Sequence, residues 1–306
     1  MQEPRNRTDL TVFKKNIGKL EKIASNIAEK IYSHLLGTEK ETIIAYYRQG
    51  YLPASITYWV TATLNKEKNI TMGEAGTLAY YLLVYREAGT SILYTTTPHS
   101  PSTIHFLQAA KLTGYKVLLV TIDPLDERIR DILAPYSPIY IKSSDELEAA
   151  IIMSFAAFSA ATKLSKELLG RRGRRLYEHS KEGFTVILDE LIHKYNSVLQ
   201  QILRAEQIRV TSTKLLEPAS LFFVETLRRL DKTAYYEPID FITGPGVILL
   251  LSTSVEDYLI KERRFKLNLT GSKIIEISLN TDPLEAQIYI SLLAYFLQYY
   301  WKHRRE

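Results

Sequence analysis

The chain has 306 residues, 46% hydrophobic and 24% charged, the balance of a globular protein long enough for two ordinary domains. Its 39 basic and 34 acidic residues leave a formal charge of +5, which favours anions but is far from the excess of a dedicated nucleic-acid binder. With no cysteine, disulfides, thiolate metal sites and a cysteine nucleophile are all excluded.

Met1 to Asp9 is polar and has no signal-peptide core, and no stretch reaches the ~18 consecutive apolar residues of a membrane span, so the expectation is a cytoplasmic protein. Twenty-one tyrosines against 13 glycines hint at a heat-adapted source. Leu10, Phe13, Ile17, Leu20, Ile27, Ile31 and Leu35 repeat at helical spacing, which predicts an amphipathic helix up to Gly37 within an N-terminal helical segment, residues 1–40.

Thr42 to Tyr47 reads as a first strand, and Arg48-Gln49-Gly50 begins the loop into a helix that ends near Leu64. Asn69 to Met72 reads as a second strand, with a helix following from Glu74. Ser91 to Thr95 is a third strand and Lys116 to Ile122 a fourth, apolar enough to be buried on both faces. Between them, Thr95 to Thr103 crowds six hydroxyls and two prolines into nine positions before a helix for which Ser102 or Thr103 is the expected N-cap. Strand, helix and strand of this length form a right-handed parallel unit. Hydroxyls at the carboxyl end of a strand, against a helix N-terminus, suit a phosphate; they also suit plain capping of a turn. Thr97, His99, Ser100, Ser102 and Thr103 are therefore the candidate phosphate residues, with Arg48, Gln49 and Gly50 directed at the same crevice.

Ser137 to Lys142 reads as a short fifth strand, and from Glu146 a long apolar helix runs to Gly170, closing a first domain over residues 41–170. Arg171-Arg172-Gly173-Arg174-Arg175 reads as a solvated linker within 171–205, ahead of a helix from about Phe184 to Leu203. The competing reading, a regulatory or scaffold module whose arginines touch nucleic acid, lacks aromatic residues within the run. The βα order then returns over residues 206–306: strands at Gln207, Thr233, Val247 and Lys273, a hydroxyl segment Thr211-Ser212-Thr213, and a very aromatic last helix from Leu284 to Trp301. A βα array in both halves implies two doubly wound domains about a pseudo-twofold, with facing carboxyl ends forming one cleft. The apolar last helix suggests a homodimer.

Over about residues 40 to 301 the order of elements resembles the sugar isomerase (SIS) domain family, including the archaeal phosphoglucose/phosphomannose isomerases and the isomerase domain of glucosamine-6-phosphate synthase. Ser100-Pro101-Ser102-Thr103 resembles that family's Ser-Gly-x-Thr phosphate loop. Pro218 to Leu230 resembles its proline-led helix, and Thr233 to Tyr236 with Ile239 to Pro245 resembles its Ala-Tyr and Gly-Glu-Leu-x-His-Gly-Pro segments. The resemblance implies two three-layer αβα sandwiches with parallel sheets, binding a phosphorylated sugar for aldose–ketose isomerisation without metal or cofactor.

The departures from the family bear on catalysis. Where the resemblance implies a catalytic Glu this chain has Arg229, and where it implies a His this chain has Thr243. Neither replaces a base or a proton shuttle at neutral pH. Glu225, Glu237 and Asp240 are the nearest carboxylates and the candidates for a relocated base. The expected partner is thus a phosphorylated sugar, with Thr211, Ser212 and Thr213 near its sugar end; membrane is not expected, and nucleic acid is disfavoured.

Overall fold

The computed structural model describes residues 7–37, 41–65, 69–166 and 170–305. They divide into two compact units, Gly18–Gly183 and Met1–Ile17 with Phe184–Glu306. Helix α1 (Arg7–Leu36) contributes its first turns to the second of these and the remainder to the first.

The larger unit is built on a five-stranded parallel sheet of order β2-β1-β3-β4-β5. Its strands are β1 (Glu41–Tyr47), β2 (Asn69–Glu74), β3 (Gly89–Thr95), β4 (Tyr115–Ile122) and β5 (Ile139–Ile141). Ile44 stands opposite Met72 and Ile92, so β1 is flanked by strands on both edges. Helices α3 (Ala75–Tyr81), α4 (Pro101–Leu112) and α5 (Glu127–Leu133) cover one face, where Leu78, Phe106 and Leu133 close on Ile43, Leu93 and Leu119. Helices α2 (Tyr51–Leu64) and α6 (Glu146–Ser165) pack together against β1, β3 and β4. Because successive strand residues face opposite sides, two covered faces bury nearly every strand position, and Ile43 to Ala45, Ile92 to Tyr94 and Val117 to Val120 are accordingly apolar, with small hydroxyl residues buried beside them. Helix α6 is long and apolar enough to cross a membrane, but 78% of its most apolar window is buried inside the protein, which accounts for its composition.

Two expectations are corrected here. The arginine run is the start of a helix, α7 (Gly170–Glu182), which buries Gly173 and Leu176 and is not an irregular linker. Ser100, rather than Ser102 or Thr103, caps α4. Pro101 takes the first helical position, where its missing N–H costs nothing, and this moves the cap one residue ahead of it.

The smaller unit has a four-stranded parallel sheet of order β7-β6-β8-β9. Its strands are β6 (Gln207–Ser212), β7 (Thr233–Tyr236), β8 (Val247–Thr253) and β9 (Lys273–Leu279). Its helices are α8 (Leu188–Arg204), α9 (Glu217–Arg229), α10 (Asp257–Leu269) and α11 (Pro283–Arg305), with α9 and α11 closely packed. Ile288, Ile290, Leu292, Leu293 and Leu297 of α11 are all buried. Phe13 from the start of α1 meets Tyr295, Phe296 and Tyr299 at ring-centroid distances of 6.0, 5.2 and 5.2 Å. The apolar faces that suggested a homodimer are therefore covered within a single chain. Both units are αβα sandwiches with parallel sheets, as the sequence implied.

Candidate functional site

In an open parallel sheet the loops at the carboxyl ends of the strands are the usual place for a ligand. In the larger unit the loop after β3 folds tightly upon itself. Thr97 N–H donates to Thr95 Oγ1 at 3.0 Å, and Ser100 N–H donates to Thr97 O at 3.2 Å. Ser100 Oγ accepts from Thr103 N–H at 3.1 Å and donates to Thr103 Oγ1 at 2.8 Å, while Thr103 Oγ1 donates to Thr97 O at 3.3 Å. Pro98 and Pro101 remove two further N–H groups from the loop. The buried Thr97 Oγ1 has no hydrogen-bond partner among the described residues. An orphaned buried hydroxyl is costly, and at a strand end it marks room for a polar ligand atom.

The loop after β1 approaches from the side. Arg48 adopts a left-handed backbone with φ of 52°, an uncommon state for a non-glycine residue. Its Nη1 stands 4.0 Å from Glu146 Oε1. Thr96 Oγ1 donates to the other oxygen of the same carboxylate at 3.4 Å. Gln49 is half-buried in the 3-10 turn that follows Arg48. Gly50 lies against β3, where a Cβ would stand 2.0 Å from Tyr94 O. Beneath the loop, the Tyr94 hydroxyl is hydrogen-bonded to Thr57 Oγ1 at 3.0 Å, and burial pushes its pKa well up, so the phenol stays protonated.

Beside these loops, at the carboxyl ends of β3, β4 and β5, opens a cavity of about 730 Å³. Thr96, His99, Asp123, Lys142, Ser143 and Glu146 supply its polar wall. Arg130 holds Asp123 in place, with Nε donating to Oδ1 at 3.0 Å. Glu146 sits at the start of α6 directly after the N-cap Asp145. Of the predicted residues, Thr97, His99, Ser100 and Thr103 share the β3–α4 turn, and Arg48 meets it through Glu146. Ser102 turns toward α3, since a Cβ on Gly76 would lie 3.3 Å from Ser102 Oγ and 3.2 Å from Glu74 Oε2. Asp123, Lys142 and Glu146 were missed by sequence reasoning. The signal lay in Lys142-Ser143-Ser144-Asp145-Glu146, a polar cluster directly after a strand, and giving every strand end equal weight finds it.

In the smaller unit, Thr211 and Ser212 end β6, and Thr213 precedes the turn into α9. Ser220 Oγ donates to Ser212 Oγ at 2.7 Å, while the hydroxyls of Thr211 and Thr213 are buried without a partner among the described residues. Burial and the Glu217 carboxylate raise the Tyr236 phenol, and a hydrogen bond with Ser212 opposes them. Each of the three candidate bases faces an arginine. Glu225 Oε1 lies 3.4 Å from Arg229 Nε one helical turn on, and Glu237 Oε2 lies 3.6 Å from Arg209 Nη1. Asp240 pairs with Arg263 of α10. Buried Arg209 also donates to Thr243 O at 2.9 Å and Gly244 O at 2.8 Å, which pins the segment where the resemblance places a His. Glu225 is the ninth residue of α9, roughly 12 Å of helix rise from the hydroxyls at its start. Among the described residues no three His, Asp or Glu side chains are grouped to hold a metal ion.

Solved structures share this architecture. The C-terminal domain of glucosamine-fructose-6-phosphate aminotransferase from Francisella tularensis superposes with a TM-score of 0.64 at 13% identity, over 97% of each chain. Tagatose-6-phosphate ketose/aldose isomerase from Escherichia coli gives 0.62 at 12%, over 97% of this chain and 92% of that one. Glucosamine-6-phosphate deaminase from Thermotoga maritima gives 0.61 at 14%, over 97% and 94%. No family model matches the chain, and no curated protein matches it in sequence. At these identities the likeness is one of fold: the chain has the architecture of the SIS domains its sequence resembles.

Proposed function

We propose that the chain binds a phosphorylated sugar or a related carbohydrate derivative, with the phosphate against the Ser100 turn and the sugar in the adjoining cavity. The observation that carries this reading is the position of Ser100, Thr103 and the orphaned Thr97 hydroxyl at the carboxyl end of β3, on the N-terminus of a 12-residue helix and beside that cavity. A helix N-terminus favours an anion through its unpaired N–H groups and its dipole. The fold neighbours, whose names include phosphosugar isomerase and deaminase activities, support the same ligand class. Calorimetry against a panel of hexose and pentose phosphates tests it. Binding should weaken at least tenfold when Ser100 and Thr103 are both changed to Ala, and silence across the panel would sink the proposal.

Turnover is a separate matter. Arg229 and Thr243 stand where the resemblance requires a base and an acid, and Glu225, Glu237 and Asp240 are each engaged with an arginine. The proposed role is accordingly binding, as in a sensor of sugar phosphate. Glu146 also faces an arginine, Arg48 at 4.0 Å, but it favours a second reading because it alone of these carboxylates lines the cavity. Deuterium incorporation at C2 of glucose 6-phosphate or fructose 6-phosphate in heavy water separates the two. Exchange that Glu146→Gln abolishes establishes an isomerase; binding without exchange leaves a sensor.

A further inference from the structure

Helix α7 of the larger unit carries a feature that sugar binding does not use. Arg171, Arg172, Arg174 and Arg175 are all exposed, fanned over the solvent side opposite the buried Gly173 and Leu176. None of Arg171, Arg174 and Arg175 forms an ion pair among the described residues. The arginines crowd the positive end of the dipole, an unfavourable place for them, whereas Lys181 sits favourably in the last turn. A local choice that opposes the element's own stability is expected where function demands it.

The sequence has no aromatic residue within the run, but helical wrapping supplies one. Arg174, Tyr177 and Lys181 are spaced i, i+3 and i+7, so they share one stripe of α7. Lys181 Nζ stands 4.7 Å from the Tyr177 ring centroid, and Lys166, from the end of α6, reaches it at 5.4 Å. The half-buried ring thus has two ammonium groups over it and shares its stripe with Arg174. Arginine, more than lysine, matches phosphate through its planar fork. The stripe offers no exposed apolar side chain for insertion into a bilayer, since Leu176 is buried. The geometry points to a binding surface for single-stranded nucleic acid, with the four arginines on successive phosphates and a base stacking on Tyr177 in place of the lysines that lie over its ring.

The test is fluorescence anisotropy of the full chain with labelled oligo(U) and oligo(dT) of about 20 nucleotides, long enough for such a site. Four neutralised phosphates give a log K against log salt slope of about −3 for a single strand. Changing Arg174 and Arg175 to Gln should bring that slope to roughly half and cost at least tenfold in affinity at low salt, while the corresponding Lys changes keep the slope. Tyr177→Ala should cost about tenfold with the slope unchanged, and Tyr177→Phe should cost little. Circular dichroism checks that each variant keeps its helix content. The proposal is overturned by no binding at 50 mM salt (roughly the low end where phosphate contacts are strongest), or by affinity that the arginine changes leave intact. Equal affinity for heparin or an acidic peptide, with no effect of Tyr177→Ala, also overturns it.

Discussion

Changing Gly50 to Ala isolates a single steric contact beneath the candidate site. Gly50 has φ −63° and ψ −13°, which any residue adopts freely, so the substitution adds no backbone strain. A Cβ would stand 2.0 Å from Tyr94 O and 2.4 Å from Tyr94 C, whereas ordinary contact begins at 3.4 Å. The β1–α2 loop and β3 must then part by about 1.4 Å, from 2.0 to 3.4 Å, with main chain on the receiving side that no rotamer change relieves. Overpacking of ordinary side chains costs ~1–3 kcal/mol, and a clash onto backbone belongs at or above the top of that range. We expect a loss of at least ~3 kcal/mol, which for a unit the size of Gly18–Gly183 lowers its Tm by roughly 6–12 °C. The sign is diagnostic, because Gly→Ala in a relaxed position stabilises by ~0.4–1 kcal/mol through the unfolded chain. Gly73→Ala is the control: its Cβ would meet Leu78 Cδ2 at 2.9 Å and Cγ at 3.0 Å, a side chain and not main chain, so ~1–2 kcal/mol is expected. Urea denaturation followed by circular dichroism ranks the two. A Gly50→Ala protein within ~0.5 kcal/mol of the parent, or more stable than the Gly73→Ala protein, would refute the steric account.

Arg209→Leu removes a buried guanidinium and leaves the carbonyls of Thr243 and Gly244 and the carboxylate of Glu237 without their donor. Because Thr243 and Gly244 are exposed and Glu237 is half-buried, water partly replaces the lost donor, so the cost should be ~1–3 kcal/mol, read as a lower midpoint of urea unfolding; a loss below ~0.5 kcal/mol would show that solvent satisfies these groups fully. His34 donates Nε2–H to Ser91 O at 3.0 Å, and its burial outweighs that bond and pulls the imidazole below its ordinary 6.5. The unfolded chain therefore binds this proton more readily, so the stability it contributes is full above about pH 6.5 and declines as pH falls through that value toward the lower folded pKa. His34→Gln should flatten that part of the stability profile between about pH 7.5 and 5.5, and parallel curves for the two proteins would remove the assignment.

Near-neighbour signals in the chain were enough to specify most of the fold. Apolar runs marked β1, β3, β4 and β8, because the middle of a strand buried on both faces favours apolar side chains at successive positions. Proline and hydroxyl clusters marked where strands hand over to helices. The repeated βα order implied parallel sheets, since only a crossover helix joins parallel neighbours. The arginine run lay beyond those rules: its composition is that of a solvated loop, and it became a helix because Gly173 and Leu176 found cover inside the larger unit. The aromatic excess of α11 was equally ambiguous, and contact with Phe13, nearly the whole chain away in sequence, decided that one chain covers it. For the candidate site, the sequence named the hydroxyls of the β3–α4 turn, because capping chemistry is local. It gave no means of finding that Glu146, almost a hundred residues from Arg48, meets both that arginine and Thr96, or that Glu237 is held by Arg209. Those pairings follow from strand order, which brings the ends of distant segments together, and only the folded chain carries that information.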